Sequence, residues 1–157
     1  EMPVLKNAFI FSALSGLRWS DIEKLVWSEV QHSEQSGYYI RFRQKKTKGA
    51  ETLPISEQAF TLLGERRKQD DKVFDGLYYS AWHNLKLRAW VMKAGITKHI
   101  TFHCARHTYA TLQITLGTDI YTVSKLLGHR HLKTTEIYAK VIDHKKQEAA
   151  NKIKLDL

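Results

Sequence analysis

Cysteine is almost missing: Cys104 is the one instance in 157 residues. That excludes a disulfide framework and a cysteine-based zinc site. Proline occurs only twice, which suits a mainly helical domain, because proline breaks helix interiors. No apolar run approaches the roughly 20 residues that a membrane span needs, so no membrane partner is expected. Glu1 to Phe11 lacks the basic start and long apolar core of a secretory signal. Repeats, low-complexity stretches and linkers are absent as well. Acidic residues thin out along the chain. Residues 1–78 hold 12 Lys or Arg against 11 Asp or Glu, whereas residues 79–157 hold 13 against 5.

What is present is a 43% hydrophobic chain with a net charge of +9. Its length suffices to bury one core without staples. The positive balance favours an acidic partner, nucleic acid first, although a solvated basic surface accounts for composition equally well. Residues 1–157 are expected to form one domain. The opening Glu1-Met2-Pro3 runs straight into helix-like sequence, as an excised part of a longer protein would.

The patterning predicts a mainly α protein with a small antiparallel sheet, an α+β class. Val4–Leu14 is apolar enough for a buried helix, interrupted by Ser15-Gly16. Ser20 is expected to cap a short helix through Leu25, with Asp21 and Glu23 in its first turn. Trp27–Pro54 reads as the sheet: Tyr38–Arg43 alternates, Lys46–Ala50 makes a hairpin turn, and Thr52–Ile55 returns. Ser56 is expected to cap a helix reaching about Gln69. Further helices are predicted over Tyr79–Ala94, His103–Leu116 and Asp119–Leu127, each followed by glycine, and a short one from Thr134 or Thr135 around Tyr138. The tail, His144–Leu155, is basic and weakly amphipathic.

Phosphoryl transfer on a nucleic-acid backbone needs cations around the non-bridging oxygens, a nucleophile and a proton donor for the leaving oxygen. Converging Arg, Lys and His donors can supply the charge without a metal or other cofactor. Arg18 lies at a junction of two helices, with Asp21 three residues on. His103 and Arg106 form an i, i+3 pair on one helix. His129 follows Gly128, Tyr138 lies nine residues further, and Lys46 sits at the hairpin tip. Singly, each has an ordinary explanation: a surface ion pair, a chance H-x-x-R, a half-buried tyrosine. His129-x-His131 lacks further ligands for a metal. Ser15, Ser20 and Cys104 lack a nucleophile-elbow pattern.

Jointly, these residues are far more specific. Ser15-Gly16-Leu17-Arg18-Trp19-Ser20-Asp21-Ile22, Lys46 to Pro54, Thr101 through Thr111, and Leu126-Leu127-Gly128-His129 through Tyr138 occur in this order and spacing. The chain thereby resembles the catalytic domain of the tyrosine recombinases, or phage integrase family, from about Phe9 to Val141. His103–Thr111 is similar to integrases of Bacteroidetes mobile elements.

The resemblance implies that fold, and it implies roles. Arg18 and Arg106 would clamp the scissile phosphate, and His103 would assist proton transfer. His129 would donate to the phosphate, and Lys46 would protonate the leaving 5′-oxygen, with Lys45 and Lys48 as close neighbours for that role. Tyr138 would attack to give a 3′-phosphotyrosyl link. Asp21 would hold Arg18, and His107, facing elsewhere on its helix, would give support at most. Arg41, Arg43, Lys45 and Lys48 would contact the DNA backbone.

The implied partners are double-stranded DNA and, in the full-length protein, a homo-tetramer on DNA, with room for DNA-bending accessory proteins. The implied location is the bacterial cytoplasm, on the nucleoid when DNA is bound. Core-binding and arm-binding domains would precede this region, and residues 143–157 would dock into a neighbouring subunit. Alternatives are type IB topoisomerase-like relaxation with the same nucleophile, and a non-catalytic DNA-binding module, which would not require Tyr138. A structural protein with a basic surface is the third.

Overall fold

The computed structural model describes residues 2–46 and 48–155, the side chain of Ala139 aside. Thr47 of the expected hairpin, and Glu1, Asp156 and Leu157 at the ends, lie outside the described residues. The chain falls into two compact units, Glu1–Tyr109 and Ala110–Leu157. The class is the expected one, helices with a three-stranded antiparallel sheet.

The first unit opens with α1 (Pro3–Ser15), where proline stands in the first turn and lacks the amide that would go unused there. Leu5, Ala8, Phe11, Ser12 and Ser15 recur every three or four residues and are buried. The two serines are tolerated inside because their hydroxyls donate to the carbonyls of Leu17 and Phe11, both at 2.7 Å. Gly16 then takes φ 74°, and its N–H donates to Ser12 O. That left-handed position suits glycine and ends the helix.

Helix α2 (Trp19–Lys24) follows at once. Its N-cap is Arg18, in extended conformation, and Ser20 lies inside the helix rather than capping it. Asp21 does fall in the first turn. A 3-10 turn (Trp27–Glu29) leads into β1 (Val30–Ser33), β2 (Gly37–Arg43) and β3 (Ala50–Pro54), paired in that order. Along β2 the alternation holds where it matters: Ile40 and Phe42 are buried, while Arg41 and Arg43 are exposed. At the β2–β3 turn Gln44 N–H donates to Gly49 O and Lys48 N–H donates to Gln44 O.

The expected helix from Ser56 to about Gln69 is shorter than its pattern. Ser56 caps it, accepting from Ala59 N–H, but α3 covers Glu57–Thr61 only. Gly64 turns left-handed at φ 78°, and the following backbone is taken by long-range partners. Gln69 O accepts from Ser28 N–H, Asp71 O accepts from Trp27 N–H, and the Arg66 guanidinium donates to Trp27 O and Val30 O. These bonds outcompete a local helix. Helix α4 (Ala81–Lys93) is capped by Ser80, and α5 starts at His103.

The second unit takes up the end of α5 (His103–Thr115) and continues with α6 (Ile120–Leu126). Asp119 caps α6, accepting from Thr122 N–H at 2.8 Å and from its hydroxyl at 2.6 Å, and these bonds hold its carboxyl below the ordinary value. Gly117 and Gly128 are both left-handed. The short helix expected around Tyr138 is a 3-10 segment, Leu132–Tyr138, running directly into α7 (Ala139–Ala150). Thus Tyr138 ends one helix type and caps the next.

Candidate active site

In the first unit two main-chain contacts assemble the cationic side chains. Arg106, 5% exposed, donates through Nη1 to Gly16 O at 2.6 Å. The αL cap of α1 therefore presents its carbonyl to α5, two residues before Arg18. The second contact comes from Asp21, 1% exposed, whose Oδ1 accepts from the backbone N–H of Lys45 at 2.8 Å. This ties the hairpin base to the first turn of α2, next to Arg18.

Asp21 was expected to hold Arg18 and does not. Its partners are the Lys45 N–H and, at 4.0 Å, the Lys24 ammonium. The i, i+3 argument presumes a helical turn between the two residues, but Arg18 is the extended N-cap. Arg18 Nη1 is buried and meets no hydrogen-bond partner among the described residues. A guanidinium nitrogen left so inside a protein is costly unless an acceptor arrives from outside.

The charges of this set act on His103. Partial burial, then the positive charges of His107, Arg106, Arg18 and Lys46, hold its imidazole below the ordinary histidine value of 6.5. The residue as a whole remains accessible to solvent. His107 was expected to face elsewhere on the helix. Instead its ring stands edge-on to that of His103 at 4.5 Å, because positions i and i+4 share a helical face.

The hairpin side chains Arg41, Arg43, Lys45, Lys46 and Lys48 are all exposed. Lys48 adopts φ 55°, unusual for a residue with a Cβ. The Lys24 ammonium donates to Arg43 O, which adds a further tie at the end of β2.

In the second unit His129 and Tyr138 lie on either side of Thr135. His129 Nδ1 pairs with Thr135 Oγ1 at 2.7 Å, and Thr135 is fully buried. That bond fixes the imidazole's orientation. Tyr138 is 8% exposed. Among the described residues no three His, Cys, Asp or Glu side chains group as metal ligands, His129 and His131 included.

Sequence reasoning missed Thr135 as the partner of His129, although Thr134-Thr135 was marked as a helix start. It also missed Gly16 O, since a carbonyl acceptor leaves no mark on residue type. Chemically, the first-unit set can surround an anion with donors. It also offers an imidazole that is neutral near pH 7 and able to accept a proton.

The phage integrase family matches residues 4–145. The tyrosine recombinase XerA of Saccharolobus solfataricus is 30% identical over 131 residues, 82% of this chain and 43% of that protein. Among solved structures, the catalytic domain of bacteriophage HP1 integrase superposes with a TM-score of 0.63 at 24% identity, over 95% of this chain and 89% of that one. The Tn1549 transposon integrase, in complex with a circular intermediate DNA, gives 0.56 at 19%, over 90% and 57%. The chain thus spans less than half the length of its XerA relative. With the family matched over residues 4–145 and a relative 30% identical over 82% of this chain, the chain belongs to the phage integrase family and carries a tyrosine recombinase catalytic domain.

Proposed function

We propose that this domain cleaves and rejoins DNA strands in site-specific recombination, through a covalent 3′-phosphotyrosyl intermediate. The observation that carries the reading is Arg18 Nη1, buried and without a hydrogen-bond partner among the described residues, in a guanidinium whose charge acts on His103. A scissile phosphate is the acceptor that such a group fits. Arg18 and Arg106 bind its non-bridging oxygens, where a guanidinium's planar fork matches better than an ammonium.

The Tyr138 hydroxyl oxygen forms the new bond to phosphorus as the bond to the 5′-oxygen breaks. His103 takes up the phenolic proton, and Lys46 gives a proton to the departing 5′-oxygen. His129, oriented by Thr135, donates to the phosphate. A second strand's 5′-hydroxyl then attacks the phosphotyrosine and restores Tyr138, so the bond energy is conserved. Every charge in this scheme comes from a side chain, and no cofactor is required.

DNA is the partner, held on its backbone by Arg41, Arg43, Lys45 and Lys48. The net charge of +9 and the DNA complex of the Tn1549 relative support this. The chain works as the catalytic part of a longer integrase, in a bacterial cytoplasm, assembling as a homo-tetramer on DNA with room for bending proteins. Residues 143–157 dock into a neighbouring subunit.

The test is a nicked, labelled suicide duplex carrying the parent element's own ends, incubated in EDTA with the full-length protein. A covalent adduct that Tyr138→Phe abolishes is expected. Confirmed binding without any adduct would overturn the reading.

A further inference from the structure

We propose that Trp19 is a positioning residue: its indole wedges against Phe102 and so sets Arg18 relative to His103. The assignment rests on the reading of Arg18 and His103 as phosphate-handling groups. Its geometry lies within the first unit. Trp19 directly follows Arg18, and Phe102 directly precedes His103. The two rings meet edge-to-face, with centroids 4.7 Å apart at 90°.

The wedge is braced from both sides. Behind Phe102 stands Phe9 of α1 at 5.7 Å, itself edge-on to Trp90 of α4. Around Trp19 stand Tyr79 at 6.4 Å and His83 at 6.2 Å. His83, 2% exposed, is in turn fixed through Nδ1 to Ser80 Oγ and Tyr78 O. One aromatic cluster therefore reaches from α1 and α4 to the residues beside both functional groups.

Two features of this cluster bear on the placement of Arg18. Trp19 Nε1 and His83 Nε2 are both buried and meet no hydrogen-bond partner among the described residues, as is also true of Trp27 Nε1 in the core. Trp19 also begins α2, so its indole is anchored one residue from the extended Arg18 at the N-cap. Stiff edge-to-face contacts hold direction as well as distance. Misplacing a reacting group by about 1 Å costs on the order of a hundredfold in rate.

The test compares Trp19→Leu, which keeps apolar bulk but loses the ring, with Trp19→Phe, which keeps an edge-to-face partner. Two readouts are taken on folded protein: the NMR titration of His103, and the rate of Tyr138-linked adduct formation on the suicide duplex. In Trp19→Leu the His103 midpoint should rise towards 6.5, because the Arg18 charge withdraws while those of His107, Arg106 and Lys46 remain. The adduct rate should fall by about a hundredfold. Trp19→Phe should restore most of both.

If Trp19→Leu does not fold, Phe102→Leu removes the same contact from the other side. A Trp19→Leu protein with the parent's His103 midpoint overturns the proposal, as does a slow variant whose His103 is unmoved. Should the parent itself form no adduct, the recombinase reading fails, and the His103 titration still decides the role of Trp19.

Discussion

Removing the Asp21 carboxylate should disable the hairpin lysine while leaving both arginines in place. Asp21 accepts the Lys45 N–H at 2.8 Å from an almost fully buried position. A hydrogen bond to an ionised acceptor is worth about 1.5–3 kcal/mol. Lys45 is exposed, so water can take the freed N–H, which puts the loss in Asp21→Ala near the lower end, about 1.5 kcal/mol. For a domain of this size that is a fall of roughly 3–6 °C in melting temperature. Asp21→Asn keeps an acceptor oxygen and should lose less.

The effect on chemistry should be larger than the effect on stability. General acid catalysis contributes about 10²–10⁴-fold, so a hairpin no longer anchored beside Arg18 should slow cleavage by about a hundredfold. A DNA substrate with sulfur in place of the bridging 5′-oxygen isolates the cause. A thiolate leaves without being protonated, so this substrate does not need Lys46. Asp21→Ala should be slow on the oxygen substrate and close to the parent on the sulfur one. Equal slowing on both would refute the chain of contacts from Asp21 through Lys45 to Lys46.

Three further outcomes are expected. Thr135→Val keeps the shape but strips His129 Nδ1 of its partner. It should cost about 1 kcal/mol in a thermal melt and change the His129 tautomer ratio seen by 15N NMR, and an unchanged ratio would count against the orienting role. His103 binds its proton less readily folded than unfolded. Stability should therefore rise as pH climbs from the folded midpoint to the unfolded value of 6.5 and level off above it; His103→Gln should flatten that part of the melting profile, and an identical profile would exclude the shift. Finally, DNA affinity should fall steeply with salt, and replacing Arg41 and Arg43 together by alanine should reduce the log–log slope by about 2 if both meet phosphates.

Local signals carried most of the helices. Gly16, Gly95, Gly117 and Gly128 stop them, all with positive φ, and Ser56, Ser80 and Asp119 start them with side-chain caps. Ser80 itself was not anticipated as a cap, and that helix starts two residues later than its pattern. The order and spacing of arginine, lysine, histidine and tyrosine were legible because residue type alone carries them. What escaped was settled between distant segments. The stretch after Gly64 is claimed by Trp27 and Ser28, some forty residues earlier. Asp21 turned to the hairpin because Arg18 is extended. His107 joined His103 by a helical periodicity that adjacency to Arg106 had obscured.

The two ties that gather the cations have a consequence for how this site tolerates change. Each has a peptide group on one side, Gly16 O for Arg106 and Lys45 N–H for Asp21. An alanine scan would report Lys45 as dispensable to assembly, since its amide survives the substitution. Replacing single amides with esters would expose these dependencies. The same arrangement lets the surrounding side chains drift far in composition while the path of two loops keeps the charges together.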